Sequence, residues 1–233
     1  MLGEGARVID IGGESTRPGS DPVSPQEEVD RVVPVIRAIL AGRPDTLISI
    51  DTYRAATAEA ALEAGAGIVN DVTAMRGNGE MADLVADAGC PVILMHMQGE
   101  PKTMQREPHY QDVVREVRGF LKERADYAIS AGVEPDNVIL DPGIGFGKTA
   151  EHNLTLLRGL GDIVDLGFPV LIGASRKRFI GSITRVGVAR DRVFGTVATT
   201  VLAYERGAAM FRVHDVRANR EALAMAQAIL GRE

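Results

Sequence analysis

Four short stretches of this 233-residue chain carry side chains that could do chemistry. Gly12-Gly13-Glu14-Ser15-Thr16-Arg17-Pro18-Gly19 follows an apolar run ending at Asp10. Its Gly and Pro impose an unusual backbone path, and its Ser, Thr and Arg offer donors to an anion. Taken alone, a solvated turn explains it equally well. Asp141-Pro142-Gly143-Ile144-Gly145-Phe146-Gly147-Lys148-Thr149 hints at a nucleotide phosphate loop, but Pro142 stands where that motif needs Gly. Its glycines let backbone approach a flat ligand, with Phe146 as a wall. Gly173-Ala174-Ser175-Arg176-Lys177 and Phe211-Arg212-Val213-His214-Asp215 each set cations just after an apolar run, where an anion could be held. Asp51 and Asp141, with Asn70, are acceptors suited to the adjacent N–H donors of an aminopyrimidine edge. The plainer alternative is that they only brace a rim. His96 reads as a ligand-site or rim histidine, His109 and His152 as surface or capping residues. No two of the four histidines have metal-binding helical spacing.

The elements that carry these groups recur in one form. A helical stretch ends in Gly and a small residue, an apolar run follows, and a polar residue closes it. Gly5-Ala6 leads to Val8-Ile9-Asp10, Gly65-Ala66 to Ile68-Val69-Asn70-Asp71, and Gly89-Cys90 to Val92-Ile93-Leu94-Met95-His96. Gly132 leads to Val138-Ile139-Leu140-Asp141, and Gly207-Ala208 to Met210-Phe211-Arg212. Gly past a helix end accepts the left-handed conformation that stops it. Continuous apolar runs between such stops suit strands buried on both faces of a parallel sheet. With Leu47 to Asp51 and Pro169 to Gly173 these make seven strands. The first long helix is marked by Ser24 as N-cap, Pro25 at its first position and Glu27 closing a capping box. Val29, Val32, Val33, Ile36, Ile39 and Leu40 form its apolar stripe, in which Pro34 should kink the helix or mark its boundary.

Repeated βα units without a composition break predict one α/β domain over residues 1–233. An open doubly wound sheet is the alternative, and the polar strand ends favour the (β/α)₈ TIM barrel, whose chemistry gathers at the C-terminal ends of its strands. Seven strands do not close that barrel, and the chain opens inside a helix-end pattern. The expectation is therefore a barrel whose first βα unit is largely missing from the chain. Net charge is −6, and nothing in it points to nucleic acid or an anionic membrane as the main partner. Any anion must be held by a local Arg and Lys cluster. Cys90 is the single cysteine, so no internal disulfide exists; it is read as packing, in a reducing cytoplasmic setting. No run is long enough for a membrane helix.

The ordered motifs resemble dihydropteroate synthase: Gly-Gly-Glu-Ser-Thr-Arg-Pro-Gly, Ser-Ile-Asp-Thr from Ser49 to Thr52, Asn70-Asp71, Leu-Met-His-Met from Leu94 to Met97, the Asp141 to Lys148 run, Ser175-Arg176-Lys177, and Arg212 to Asp215. The resemblance covers essentially the whole chain. It implies an enzyme of folate synthesis that joins 6-hydroxymethyl-7,8-dihydropterin pyrophosphate to p-aminobenzoate with magnesium present, and one that sulfonamides target. It implies that Asp51, Asn70, Asp141 and Lys177 hold the pterin, with Met95, Phe146 and Gly173 shaping its slot. Arg212 and His214, with Thr16, would take the pyrophosphate, and Thr16, Arg17, Ser175 and Lys177 would border the p-aminobenzoate. Lys177, Arg212, His214 and Asp141 are the expected catalytic set, and a homodimer through late helices is implied. The stretch Gly195 to Ala203 is either core or that interface. Family members also open with a loop like Asn-Val-Thr-Pro-Asp-Ser-Phe whose Asn helps hold magnesium and pyrophosphate. It has no counterpart after Met1, so no metal ligand is assigned in this chain. Two other functions of the same barrel are alternatives: a non-catalytic pterin-binding paralogue, and a methyltetrahydrofolate methyltransferase, which Ser175-Arg176-Lys177 argues against.

Overall fold

The computed structural model describes residues 1–15, 20–77, 79–99 and 102–231. Among them, seven strands run in order β1 Val8–Ile11, β2 Leu47–Asp51, β3 Ile68–Asp71, β4 Val92–Met95, β5 Val138–Asp141, β6 Leu171–Ile172 and β7 Met210–Phe211. The helices are α1 Pro25–Gly42, α2 Ala55–Glu63, α3 Glu80–Ala88, α4 Val113–Ser130, α5 Ala150–Arg158, α6 Leu160–Val164, α7 Arg178–Thr184, α8 Val193–Glu205 and α9 Val216–Leu230. Strands β1 to β5 form one parallel sheet in sequence order, and β6 pairs with β7. A parallel bridge from Leu140 to Val170 joins the two pieces.

Side chains on a strand alternate between faces, so each strand divides into two sets. The outward set, including Ile48, Ile50, Val69, Leu94, Leu140 and Ile172, packs with helix residues such as Ile36, Val117, Leu121 and Leu156 in the main core. The inward set is a separate cluster built from strands alone: Ile68, Ile93, Ile139 and Leu171, with Val8 and Met210 against them. A sheet face that packs only on itself is curled, and the fold is a (β/α) barrel rather than an open doubly wound sheet. Among the described residues β7 and β1 share no ladder.

Of the α1 signals the N-cap and Pro25 act as read, while the Glu27 side chain pairs with Arg31 instead of closing a capping box. Ser24 Oγ accepts from the Glu27 N–H, and Pro25 sits at the first position. Pro34 neither ends nor divides the helix, which runs unbroken to Gly42. Pro34 lies on the exposed side, so the carbonyl four residues back loses its helical donor where water can replace it. Among the described residues no helix is long and apolar enough to cross a membrane.

Candidate active site

The inward cluster predicts where the site must be. Two residues further along each strand, on the same face, stand Asp10, Asp51, Asn70, Met95, Asp141, Gly173 and Arg212. This face is apolar in its lower part except for the buried Ser49 of β2, and its polar groups gather toward the C-terminal mouth. Register brings Asp51 beside Asn70 and Met95 beside Asp141.

Charge sits here under desolvation. Asp51, Asn70 and Asp141 are each less than a tenth exposed. Asp51 Oδ2 accepts from Arg212 Nη2 at 2.8 Å, while its Oδ1 is buried without a hydrogen-bond partner. Burial, reinforced by Asp10 and opposed by Arg212, raises Asp51 to about 7. Asp141 Oδ1 accepts from the Gly143 N–H at 2.7 Å. Burial also raises its pKa, with Lys177 pulling the other way. Asn70 Nδ2 donates weakly to Asp10 Oδ1 at 3.4 Å. Arg212 Nε donates to the other oxygen of Asp10, so one guanidinium spans the carboxylates of β1 and β2. Burial disfavours that guanidinium's charge, but Asp10 and Asp51 outweigh it and raise its pKa. A methyl at Gly173 would stand 3.9 Å from both Asp141 Oδ2 and Arg212 Cβ, so glycine keeps the space between them open.

Beside this layer, Lys177 lies with its ammonium 4.5 Å from the centre of the Phe146 ring, and it donates to the Ile144 carbonyl. Burial lowers its pKa to about 8, against the pull of Asp141. Ser175 Oγ accepts from the His214 backbone N–H at 3.1 Å and lies 2.9 Å from His214 Nδ1, tying the β6 loop to the β7 loop. Arg176 points elsewhere, pairing through Nε and Nη2 with both oxygens of Asp215 at the head of α9. Thr16 and Arg17 lie outside the described residues. Every other expected site residue is at the mouth.

Three features were not foreseen. Asp10 shares Arg212. His96 and Lys148 form a buried pair at 2.8 Å. Arg54 joins Glu14 and Glu28 below the Gly-rich loop, with Glu28 fully buried on α1 and also accepting from Thr57 Oγ1. Asp71 is not a ligand-facing group: it caps its own turn, accepting from Thr73 N–H, Thr73 Oγ1 and Met75 N–H at 2.7 Å each. No group of three or more His, Cys, Asp or Glu side chains that could hold a metal ion is found among the described residues.

The arrangement gathers buried acceptors, Asp51, Asn70 and Asp141, beside the cations Arg212 and Lys177 at the mouth of the barrel. The pterin binding enzyme family matches residues 1–214. The dihydropteroate synthase of Synechocystis sp. is 48% identical over 98% of this chain and 79% of its own length. A structure of Xanthomonas albilineans dihydropteroate synthase with 4-aminobenzoic acid superimposes at a TM-score of 0.93, with 46% identity over 100% of this chain and 82% of that one. The Yersinia pestis dihydropteroate synthase in a sulfonamide drug complex gives 0.94, with 43% identity over 99% and 82%. This chain belongs to the pterin-binding enzymes and, within them, to the dihydropteroate synthases.

Proposed function

We propose that this chain condenses 6-hydroxymethyl-7,8-dihydropterin pyrophosphate with p-aminobenzoate, giving 7,8-dihydropteroate and pyrophosphate in folate biosynthesis. The observation that carries this reading is the buried, unpartnered Oδ1 of Asp51, set on the same inward face as Asn70 and Asp141. A buried carboxylate oxygen without a donor is costly, and a ligand that brings N–H groups relieves that cost. A pterin edge does so. Met95, Phe146 and Gly173 bound the slot it enters. Arg212 and His214 stand beyond it just after β7, in reach of a pyrophosphate tail, and Lys177 and Ser175 border the opening for the amine.

The chemistry then needs little from the protein beyond electrostatics. The bond from the exocyclic methylene to the pyrophosphate oxygen breaks, a bond to the amine nitrogen forms, and one proton is released. Arg212 and His214 stabilise the departing negative charge, and the carboxylates of Asp51 and Asp141 stabilise positive charge on the pterin. Lys177 marks the junction between pterin and amine. Thr16 and Arg17 keep their place in the proposal as p-aminobenzoate and pyrophosphate contacts. Magnesium belongs to it as a neutraliser of pyrophosphate charge. The described residues do not by themselves gather a cation site, so no step here is routed through it. Isothermal titration of a soluble pterin, followed by a turnover assay with both substrates, tests the reading. Micromolar pterin binding is expected, and its absence would overturn the assignment.

The titrating groups predict a narrow pH optimum. Asp51, raised to about 7 with Asp10, Arg212, Glu28 and Asp71 around it, must be a carboxylate to receive the pterin donors. Pterin affinity should thus fall by up to about tenfold per pH unit below that value. Lys177, lowered to about 8 between Asp141 and Arg212, loses its charge above it, and Lys148, lowered to about 7, adds to the alkaline limb. A pH profile of kcat/KM for the pterin substrate that stays flat from 6 to 9 would contradict these assignments.

We further place the chain in the cytoplasm, in keeping with its one buried cysteine, and treat residues 1–233 as one barrel domain. A homodimer is part of the same proposal. Phe194 of α8 is 85% exposed, and Ile229 of α9 is 76% exposed. Leu154, Leu157, Phe179, Ile183 and Leu202 line an apolar groove of about 350 Å³ between α5, α7 and α8. An apolar surface of this kind suits a covered face. Phe194→Asp should convert a dimer to monomers in light scattering at micromolar concentration, and an unchanged mass would remove these helices as the interface.

A further inference from the structure

Lys148 does not belong to the ligand-facing set, yet it is among the most deeply placed charges in the molecule, only 3% exposed. Its surroundings are unusual for an ammonium. No carboxylate pairs with it among the described residues. Instead its Nζ donates to the carbonyls of Gly143 and Phe146 at 3.0 Å each, stands 2.8 Å from His96 Nδ1, and reaches the His96 carbonyl at 3.4 Å. Three protons are therefore shared among four acceptors. While Lys148 is protonated the pairing also fixes the imidazole, whose Nδ1 is then the acceptor. Burial, the Lys148 charge and Arg76 together lower the His96 pKa to about 2, so this ring stays neutral.

The loop that follows β5, residues 142–149, is wound around that one side chain. Its outer surface is what the site uses. The Gly143 N–H holds Asp141 Oδ1, the Ile144 carbonyl receives Lys177, and the Phe146 ring lies under the Lys177 ammonium. The loop is pressed so closely onto the segment after β4 that a Cβ at Gly143 would overlap the His96 carbonyl, and one at Gly147 the Gln98 carbonyl. Both glycines have positive φ, 66° and 62°, which a side chain would strain. From the helix side Asn153 Oδ1 accepts from the Gly145 N–H at 2.7 Å. An apolar side chain could fill the space taken by Lys148 at less desolvation cost. Only directional donors can set four acceptors from two loops in fixed relation at once.

We propose that Lys148 is a positioning residue for the pterin slot. It acts as the charged core of loop 142–149, and through the carbonyls of Gly143 and Phe146 it fixes Ile144 and Phe146 where they seat Lys177. His96 completes this core from the neighbouring loop and likewise touches no substrate. The inference rests on the pterin-binding reading above. It also explains why a glycine-rich run containing a lysine does not act as a phosphate loop here: the ammonium is turned inward onto its own backbone.

The test is calorimetric binding of a soluble pterin-6-carboxylate to the full chain, well below each variant's melting temperature. Lys148→Met should weaken binding by about 10- to 100-fold, the scale on which small misplacements of a site are felt. His96→Asn keeps an acceptor where Nδ1 stands and should bind within about threefold of the parent, while His96→Leu, which removes it, should lose about tenfold. If Lys148→Met does not fold, the His96 pair decides the matter. A purely structural lysine would lower the melting temperature and leave the affinity of the folded protein unchanged, which would overturn the proposal. Equal affinities for His96→Asn and His96→Leu would overturn it as well. A parent chain that binds no pterin would sink the functional reading and this inference together, and that outcome is distinct from a parent that binds beside unaffected variants.

Discussion

Asp141→Asn is expected to weaken pterin binding by about two to three orders of magnitude while leaving the fold as stable as before, or more so. The two effects have opposite signs for one reason. Asp141 ends β5 on the inward face, with Oδ1 committed to the Gly143 N–H and Oδ2 beside the open space at Gly173. An Asn keeps an oxygen for Gly143 but presents N–H groups, instead of a charged acceptor, to the ligand's own donors. Losing one partner of a buried charged hydrogen bond costs about 2–5 kcal/mol, which is about 30- to several thousand-fold in affinity. Stability follows the other direction. Burial raises the folded-state pKa of this carboxyl, so at neutral pH its ionised form opposes folding. That penalty is present above the folded pKa and vanishes as pH falls below the unfolded carboxylate range, near about 4. The variant should therefore gain over the parent at pH 7 and match it in acid, as read by thermal or denaturant midpoints. A variant that binds pterin within about threefold of the parent would remove Asp141 from the site. One that loses binding together with stability would show a bracing residue instead.

Much of this site was legible in the sequence because a parallel strand has a period of two and a helix stop has a chemical signature. Gly65, Gly89, Gly132 and Gly207 stop their segments with positive φ, and the apolar runs after them are strands β3, β4, β5 and β7. Because nearly every run closes on a polar residue, Asn70-Asp71, Asp141 and Arg212 are placed at strand C-terminal ends from sequence alone. What stayed hidden are pairings between distant segments. Nothing local says that Asp10 shares Arg212 across 202 positions of chain. Lys148 reads as a loop cation until its carbonyl partners are seen. Glu28 is the instructive case. Its charge placed it outside the α1 stripe, but the buried positions of that helix are Glu28, Val32 and Ile36, spaced by four. The spacing carried the signal and the residue type concealed it, because Arg54 and Thr57 on the β2–α2 side supply partners that no pattern in α1 reveals. A Cβ at Gly13 would crowd both the Glu28 side chain and its carbonyl, so this glycine lets the start of the Gly-rich loop lie directly on α1.

Arg212→Met should separate the two halves of the substrate. In the free chain the guanidinium is divided between Asp10 and Asp51, so it is not idle before a ligand arrives. A pyrophosphate must compete with these carboxylates, and it offers more charge and more acceptor oxygens to the same planar fork. Removing the guanidinium should raise the KM for the pterin pyrophosphate by about a hundredfold, the cost of about 2–3 kcal/mol for a charge-assisted contact. It should also abolish product inhibition by inorganic pyrophosphate. Binding of a pterin that lacks pyrophosphate should respond differently. Arg212 now lowers the pKa of Asp51, against burial and the nearby Asp10, so without it Asp51 is protonated to higher pH. Affinity for the bare pterin should therefore drop at pH 7 and recover as pH is raised toward 9, whereas the loss on the pyrophosphate side should persist at every pH. Asp10→Asn supplies the converse. It frees Arg212 from one competitor and takes a negative charge away from Asp51, so pyrophosphate inhibition should become several-fold stronger and the acid limb of pterin binding should move to lower pH. Parallel losses of both ligands at all pH values in Arg212→Met would show a rim brace, and Arg212 would then have no claim to the leaving group. If only the pyrophosphate-bearing ligand suffers irreversibly, β7 is where the departing charge is received, and the carboxylates of β1 and β2 are what keep that receiver aimed at the mouth of the barrel before substrate binds.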